Sequence, residues 1–198
     1  MRRTAEEAQQ TREAVFQAGL RVFSRKGFEG ATLADVAREA GVTRGAIYWH
    51  FTNKEAFFEE VVGRLERFYD DLLSDPGMRD DPTVETVCRA VRTVLERFCS
   101  DDVYRSMQIL AVRGLLHAGT NPDLHTHISQ RFERESPVLQ RAGADLAHLA
   151  RAGLPEPLVP LRAYLFGVFI ALSVHESSPT EAELDSYIEF LRGALSRS

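Results

Sequence analysis

Cysteine is nearly absent. The 198-residue chain has two, Cys88 and Cys99, eleven positions apart in one apparent helix and beyond disulfide reach if that helix is continuous. Both are expected to be reduced core residues. No apolar run approaches the roughly 20 residues of a membrane-spanning helix. Residues 1–7 lack the apolar stretch of a signal peptide, so a cytoplasmic location without a membrane partner is expected. A phosphate-cradling glycine loop, a nucleophile elbow and a paired metal motif are all missing, so neither catalysis nor a cofactor is expected. His125 and His127 are two apart, which puts them on different sides of a helix and speaks against a metal site. Alternation of apolar and polar residues is lacking too, which removes the signal for half-buried strands.

An overall excess of positive charge is also missing: the formal net charge is -5. That argues against a protein that coats nucleic acid indiscriminately. The distribution is uneven, however. Residues 1–54 hold nine Lys and Arg against six Asp and Glu, and the rest of the chain fifteen against twenty-three. The basic charge lies at the front.

What is present is helical periodicity. With 44% hydrophobic residues the chain can bury a real core, and apolar positions recur at spacings of three and four almost throughout. The fold class is all-α, with about nine helices. A first helix over 6–25, carrying Val15, Ala18, Val22 and Phe23, is predicted to stop at Lys26-Gly27. Thr32 and Asp35 have capping-box spacing and open a short second helix with Leu33, Val36, Ala37 and Ala40 inward. Gly41 supplies a tight turn, and a third helix runs from Thr43 to about His50. Thr52 and Glu55 are read as a second capping-box pair opening a longer helix. The turn-rich stretch 75–82 is the clearest break, and further helices are predicted over 83–99, 103–118, 124–152, 157–174 and 180–197.

Two short helices around a glycine turn form a helix-turn-helix, in which the first braces against the DNA backbone and the second enters the major groove. In the third helix Val42, Ala46, Ile47 and Phe51 face inward, leaving Arg44, Gly45 and Tyr48 outward. Arg44 is placed to bond two acceptors of guanine. Gly45 allows close approach, and Tyr48, His50 and Lys54 are placed for sugar or phosphate. Arg2 and Arg3 form a candidate arm adding salt-sensitive affinity. Taken singly, each is equally an ordinary surface charge or half-buried aromatic; their combination points to double-stranded DNA.

The run 32–51, closing on Gly45-Ala46-Ile47-Tyr48-Trp49-His50-Phe51 and followed by Asn53-Lys54, resembles the TetR family of repressors. With Arg2-Arg3-Thr4-Ala5-Glu6-Glu7-Ala8-Gln9-Gln10-Thr11-Arg12, it is especially similar to the AcrR-like branch, which controls multidrug efflux pumps. The resemblance covers about residues 2–62. It implies a homodimer with a three-helix DNA-binding domain over 1–53 and a ligand-binding and dimerisation domain over 54–198, whose first helix, 54–75, connects the two. It implies DNA contacts at Thr32, Thr43, Arg44, Gly45, Tyr48, Trp49, His50 and Lys54. For Thr32 that role competes with helix capping.

The resemblance further makes the last two helices, with Leu161, Leu165, Phe169, Tyr187 and Leu191, the dimer interface, although the same faces also suit the subunit's own core. A small-molecule inducer is implied, and its pocket is placed among Phe98, Met107, Leu110, Arg113, His117 and Phe132, which mix apolar bulk with a few polar groups. Arg113 and His117, four apart, suit an acidic or hydroxylated aromatic compound, or form an exposed polar stripe.

Overall fold

The computed structural model describes residues 5–73, 83–118, 158–174 and 179–196. Arg2, Arg3, Phe132, His125, His127, the break at 75–82 and the helix expected over 124–152 lie outside the described residues, as do the side chains of His117 and Leu161. The described residues form eight helices: α1 Ala5–Gly30, α2 Leu33–Ala40, α3 Arg44–His50, α4 Lys54–Leu73, α5 Val84–Ser100, α6 Asp102–Ala118, α7 Leu158–Val174 and α8 Glu181–Ser196. None is long and apolar enough to cross a membrane. They fall into two compact units, the first from the described parts of 1–64 and 106–128, the second from those of 65–105 and 129–198.

The first unit is built on phenylalanine. Along α1, Val15, Phe16, Ala18, Leu20, Val22 and Phe23 are buried, and the helix breaks at Gly27, whose φ of 72° turns the chain where the sequence places the stop. Phe57 of α4 is the hub. Its ring stacks on Phe23 at 4.8 Å, tilts against Phe16 at 5.4 Å and meets Phe51 edge-on at 5.1 Å. Phe58, one position on, meets Phe28 edge-on at 5.9 Å.

Two glycines make this wedge possible. A Cβ on Gly19 of α1 would lie 2.3 Å from the Phe57 ring, and one on Gly114 of α6 would lie 2.4 Å from the Phe58 ring. Consecutive phenylalanines of α4 therefore occupy notches in two different helices. Ion pairs close the α1–α4 seam: Arg64 bridges Glu13 at 2.8 Å and Glu60 at 3.0 Å, and Arg12 reaches Glu60 at 3.0 Å. The Arg64 guanidinium also lies 3.6 Å from the Phe16 ring centroid.

In the second unit α5 buries Val87, Cys88, Val91, Val94, Leu95 and Phe98, and α8 packs on it through Leu184, Ile188 and Leu191. Charges flank that contact: Arg92 of α5 pairs with Asp185 of α8, and Arg192 of α8 with Glu85 of α5 at 3.1 Å. Both cysteines are free thiols, Cys88 in the core as expected and Cys99 only half-buried, and burial pushes both pKa values up.

α7 is apolar on nearly every side. Val168, Phe169 and Leu172 are buried, with Phe169 stacked on Phe98 at 5.1 Å, while Gly167 and Ile170 face outward. Tyr164 stacks on Phe190 of α8 at 5.8 Å and donates its hydroxyl to the Tyr187 carbonyl. Burial pushes its pKa up to about 12. Phe190 nevertheless remains 68% exposed.

Candidate nucleic-acid interface

The local geometry begins at Thr32. Its extended backbone ends the link from α1, its hydroxyl accepts the Asp35 amide, and the Asp35 carboxylate accepts the Thr32 amide, completing the capping box. Leu33, Val36 and Ala37 then point into the core. Gly41 ends α2 in the left-handed conformation at φ 67°, and the Val42 amide bonds back to the Ala37 carbonyl at 3.0 Å, so the chain redirects within two residues. Thr43 caps α3 by accepting the Ala46 amide at 3.2 Å.

α3 presents two unlike sides. Ile47 and the following Phe51 are buried, and Val42 and Ala46 half-buried. Arg44, Gly45, Tyr48 and Trp49 are exposed, with Tyr48 at 55% and Trp49 at 89%. Leaving a tryptophan so open forgoes a large hydrophobic gain. His50 is half-buried at the helix's end. The capping pair expected at Thr52 and Glu55 is displaced by one residue: Asn53 accepts the Ala56 amide at 2.7 Å, and its carbonyl takes the Phe57 amide. Asn53 is therefore the capping residue of α4, which leaves Thr52 outside the first turn.

The charges explain the basic front of the chain. Arg12 pairs with Glu60, Arg21 and Arg25 with Glu39, Lys26 and Arg38 with Asp35, and Lys54 with Glu29. The Arg25 and Arg21 guanidiniums hold the Glu39 carboxyl below its usual range. Among the described residues of this front segment, Arg44 is the one basic side chain without an ion pair, and it is exposed. Lys54 is additionally turned toward α1: its ammonium donates to the Phe28 carbonyl at 3.2 Å and lies 4.7 Å from the Phe28 ring centroid. It links the start of α4 to the end of α1.

The pocket candidates belong to both units. Phe98 is buried in the second unit, and Met107 and Leu110 are buried in the first. Arg113 is exposed and donates to the Ser24 carbonyl of α1 at 3.2 Å. Of the interface candidates, Phe169 and Leu191 are buried within their own unit, and Leu165 and Tyr187 are half-buried. Two large apolar side chains outside the sequence-based set, Ile170 on α7 and Phe190 on α8, are exposed.

Residues 15–61 match the family model "Bacterial regulatory proteins, tetR family". The HTH-type transcriptional regulator TtgR of Pseudomonas putida is 49% identical over 81 residues, which is 41% of this chain and 39% of TtgR. This chain thus spans about two fifths of that relative's length. TtgW, an uncharacterized HTH-type transcriptional regulator also from Pseudomonas putida, is 35% identical over 132 residues, 66% of this chain and 95% of TtgW. Among solved structures, the SmeT–triclosan complex is similar in fold, with a TM-score of 0.70 at 24% identity, covering 93% of this chain and 91% of that one.

Proposed function

The chain belongs to the TetR family of bacterial transcriptional regulators, and from that premise we propose that it is a homodimeric repressor released from a palindromic operator by a small hydrophobic or aromatic ligand. It is a regulator, not an enzyme. The observation that carries the DNA-binding reading is Arg44, exposed and unpaired on α3 while every other described cation of the front segment has a carboxylate partner. A guanidinium left without a partner at the start of a recognition helix is available for bidentate bonding to guanine. Tyr48, Trp49 and Gly45 flank it on the exposed side and supply ring and backbone contacts to sugar and phosphate.

Dimerisation is supported by α7. A helix apolar all round needs cover on both sides. One side has it, through Val168, Phe169 and Leu172, whereas Gly167 and Ile170 continue outward from Tyr164 at steps of three, beside the exposed ring of Phe190. A second copy related by a twofold axis would cover this face and place two recognition helices on successive half-sites. Function divides differently from compactness: residues 1–53 read DNA and 54–198 bind ligand and partner. The resemblance to the AcrR-like branch supports control of an efflux or detoxification gene. Triclosan, the aromatic compound in the SmeT complex, supports the ligand class.

The decisive experiment is footprinting on the DNA upstream of the protein's own gene, with wild type and Arg44→Ala. Protection of a palindrome by wild type, weakened in the variant and relieved by triclosan or a similar aromatic compound, is the expected result. A reporter whose output falls when the gene is deleted would reverse the sign to activation.

A further inference from the structure

Asp35 lies where three segments meet. Its Oδ2 accepts the Thr32 hydroxyl at 2.8 Å and the Thr32 amide at 3.2 Å. Its Oδ1 faces the Lys26 ammonium at 2.9 Å and the Arg38 guanidinium at 2.7 Å. The carboxylate is 12% exposed, while the two cations are 45% and 76% exposed. The capping box accounts for Oδ2. It does not account for Oδ1, which gathers one cation from just before the turn at Gly27 and another from one turn along α2. The Lys26 ammonium and the Thr32 hydroxyl hold the Asp35 carboxyl well below the usual carboxylate range.

A carboxylate is the wrong charge for a surface that meets a polyanion, so its place in the first helix of a helix-turn-helix calls for a reason. That helix crosses the phosphate backbone. An ammonium has three donors and a guanidinium five, so both cations keep donors to spare after bonding Asp35. Long side chains lose rotamer freedom when they are fixed, and here part of that loss is taken before DNA arrives.

We propose that Asp35 is a positioning residue for DNA binding, anchored by Thr32 and holding Lys26 and Arg38 as one preordered pair of phosphate donors. The inference rests on the DNA-binding reading above. Its sign is distinctive: removing a negative charge near DNA strengthens binding if charge alone matters, and weakens it if the charge orders the donors.

The test measures fluorescence anisotropy of a labelled duplex from the upstream DNA, titrated with dimeric wild type, Asp35→Asn, Lys26→Gln and the double variant between about 50 and 200 mM salt. Asp35→Asn is expected to bind about three- to tenfold more weakly, with a salt slope shallower by about one to two; Lys26→Gln should make the slope shallower by about one. The double variant should resemble Asp35→Asn alone, because the two act as a unit. Circular dichroism reports whether the fold is kept. If Asp35→Asn unfolds, Lys26→Gln and Arg38→Gln carry the test, each making the slope shallower by about one; unchanged slopes overturn the proposal. Wild type that binds while Asp35→Asn binds equally or more tightly overturns this proposal alone. Wild type that leaves the duplex free overturns the DNA-binding reading, and the proposal with it.

Discussion

Two glycines show how differently one residue type is used. Gly41 stands at φ 67° with open space where a Cβ would go, whereas Gly19 has an ordinary helical backbone and the Phe57 ring 2.3 Å from that position. Gly41→Ala should therefore cost about 1 kcal/mol through backbone strain, and Gly41→Asn less, because asparagine tolerates the left-handed region. Gly19→Ala should cost about 1–3 kcal/mol through overpacking, and Gly19→Asn more. Urea denaturation of the four variants checks both orders. For DNA binding, Arg44→Ala should weaken operator affinity by about 1–3 kcal/mol and relax preference at one base position. Binding to duplexes changed one base at a time reads both effects; an unchanged preference profile would remove Arg44 from sequence readout.

Along the elements, the α1–α4 seam makes stability pH-dependent. Burial pushes the Glu60 carboxyl upward, but the Arg64 and Arg12 guanidiniums outweigh it and hold the group below its ordinary value. Arg25 and Arg21 do the same for Glu39 between α1 and α2. A carboxylate with a depressed folded pKa contributes stability that is fully present above its unfolded value, near 4.5 here, and is lost as pH falls through the folded value. Thermal midpoints should therefore fall below about pH 4.5, and Glu60→Gln should be less stable at neutral pH with a flatter acid limb. An acid limb as steep in the variant as in wild type would assign the loss to other groups.

The helices were legible because their signals are local. Thr32 with Asp35, and Gly41 at the turn, sit where the capping geometry needs them. The one-residue error at α4 arose because Thr52 and Asn53 are both good caps, and the choice belongs to the backbone that admits the Phe57 amide. Partners across the chain were not legible. Nothing near Arg12 announces Glu60, 48 positions away, so the sequence shows the cations without revealing that, of the described Lys and Arg in residues 1–54, Arg44 alone goes without an ion pair. Nor does a glycine within α1 differ in sequence from one that merely weakens a helix.

For the whole molecule, the expectation that matters is assembly. Phe190→Glu places a charge on the proposed dimer face while leaving Leu184, Ile188 and Leu191 in their contact with α5. It should convert a dimer to a folded monomer by light scattering and abolish cooperative binding to a two-half-site operator. A variant that remains dimeric would move the interface elsewhere. The alkaline limit belongs to the same face. Tyr164 titrates near 12 when folded and near 10 when unfolded. Its neutral form thus contributes stability that is present below about pH 10 and lost as pH rises toward 12.

Phe57 and Phe58 are adjacent on α4 and so point about 100° apart, one ring seated at Gly19 of α1 and the other at Gly114 of α6. The pair acts as a key in two slots. Rolling α4 about its long axis would drive one ring into backbone while lifting the other out, so torsion within this unit is blocked. A shift of α6 at Gly114 would therefore meet α4 first at the Phe58 ring, and a shift of α4 would meet α1 at the Phe57 ring.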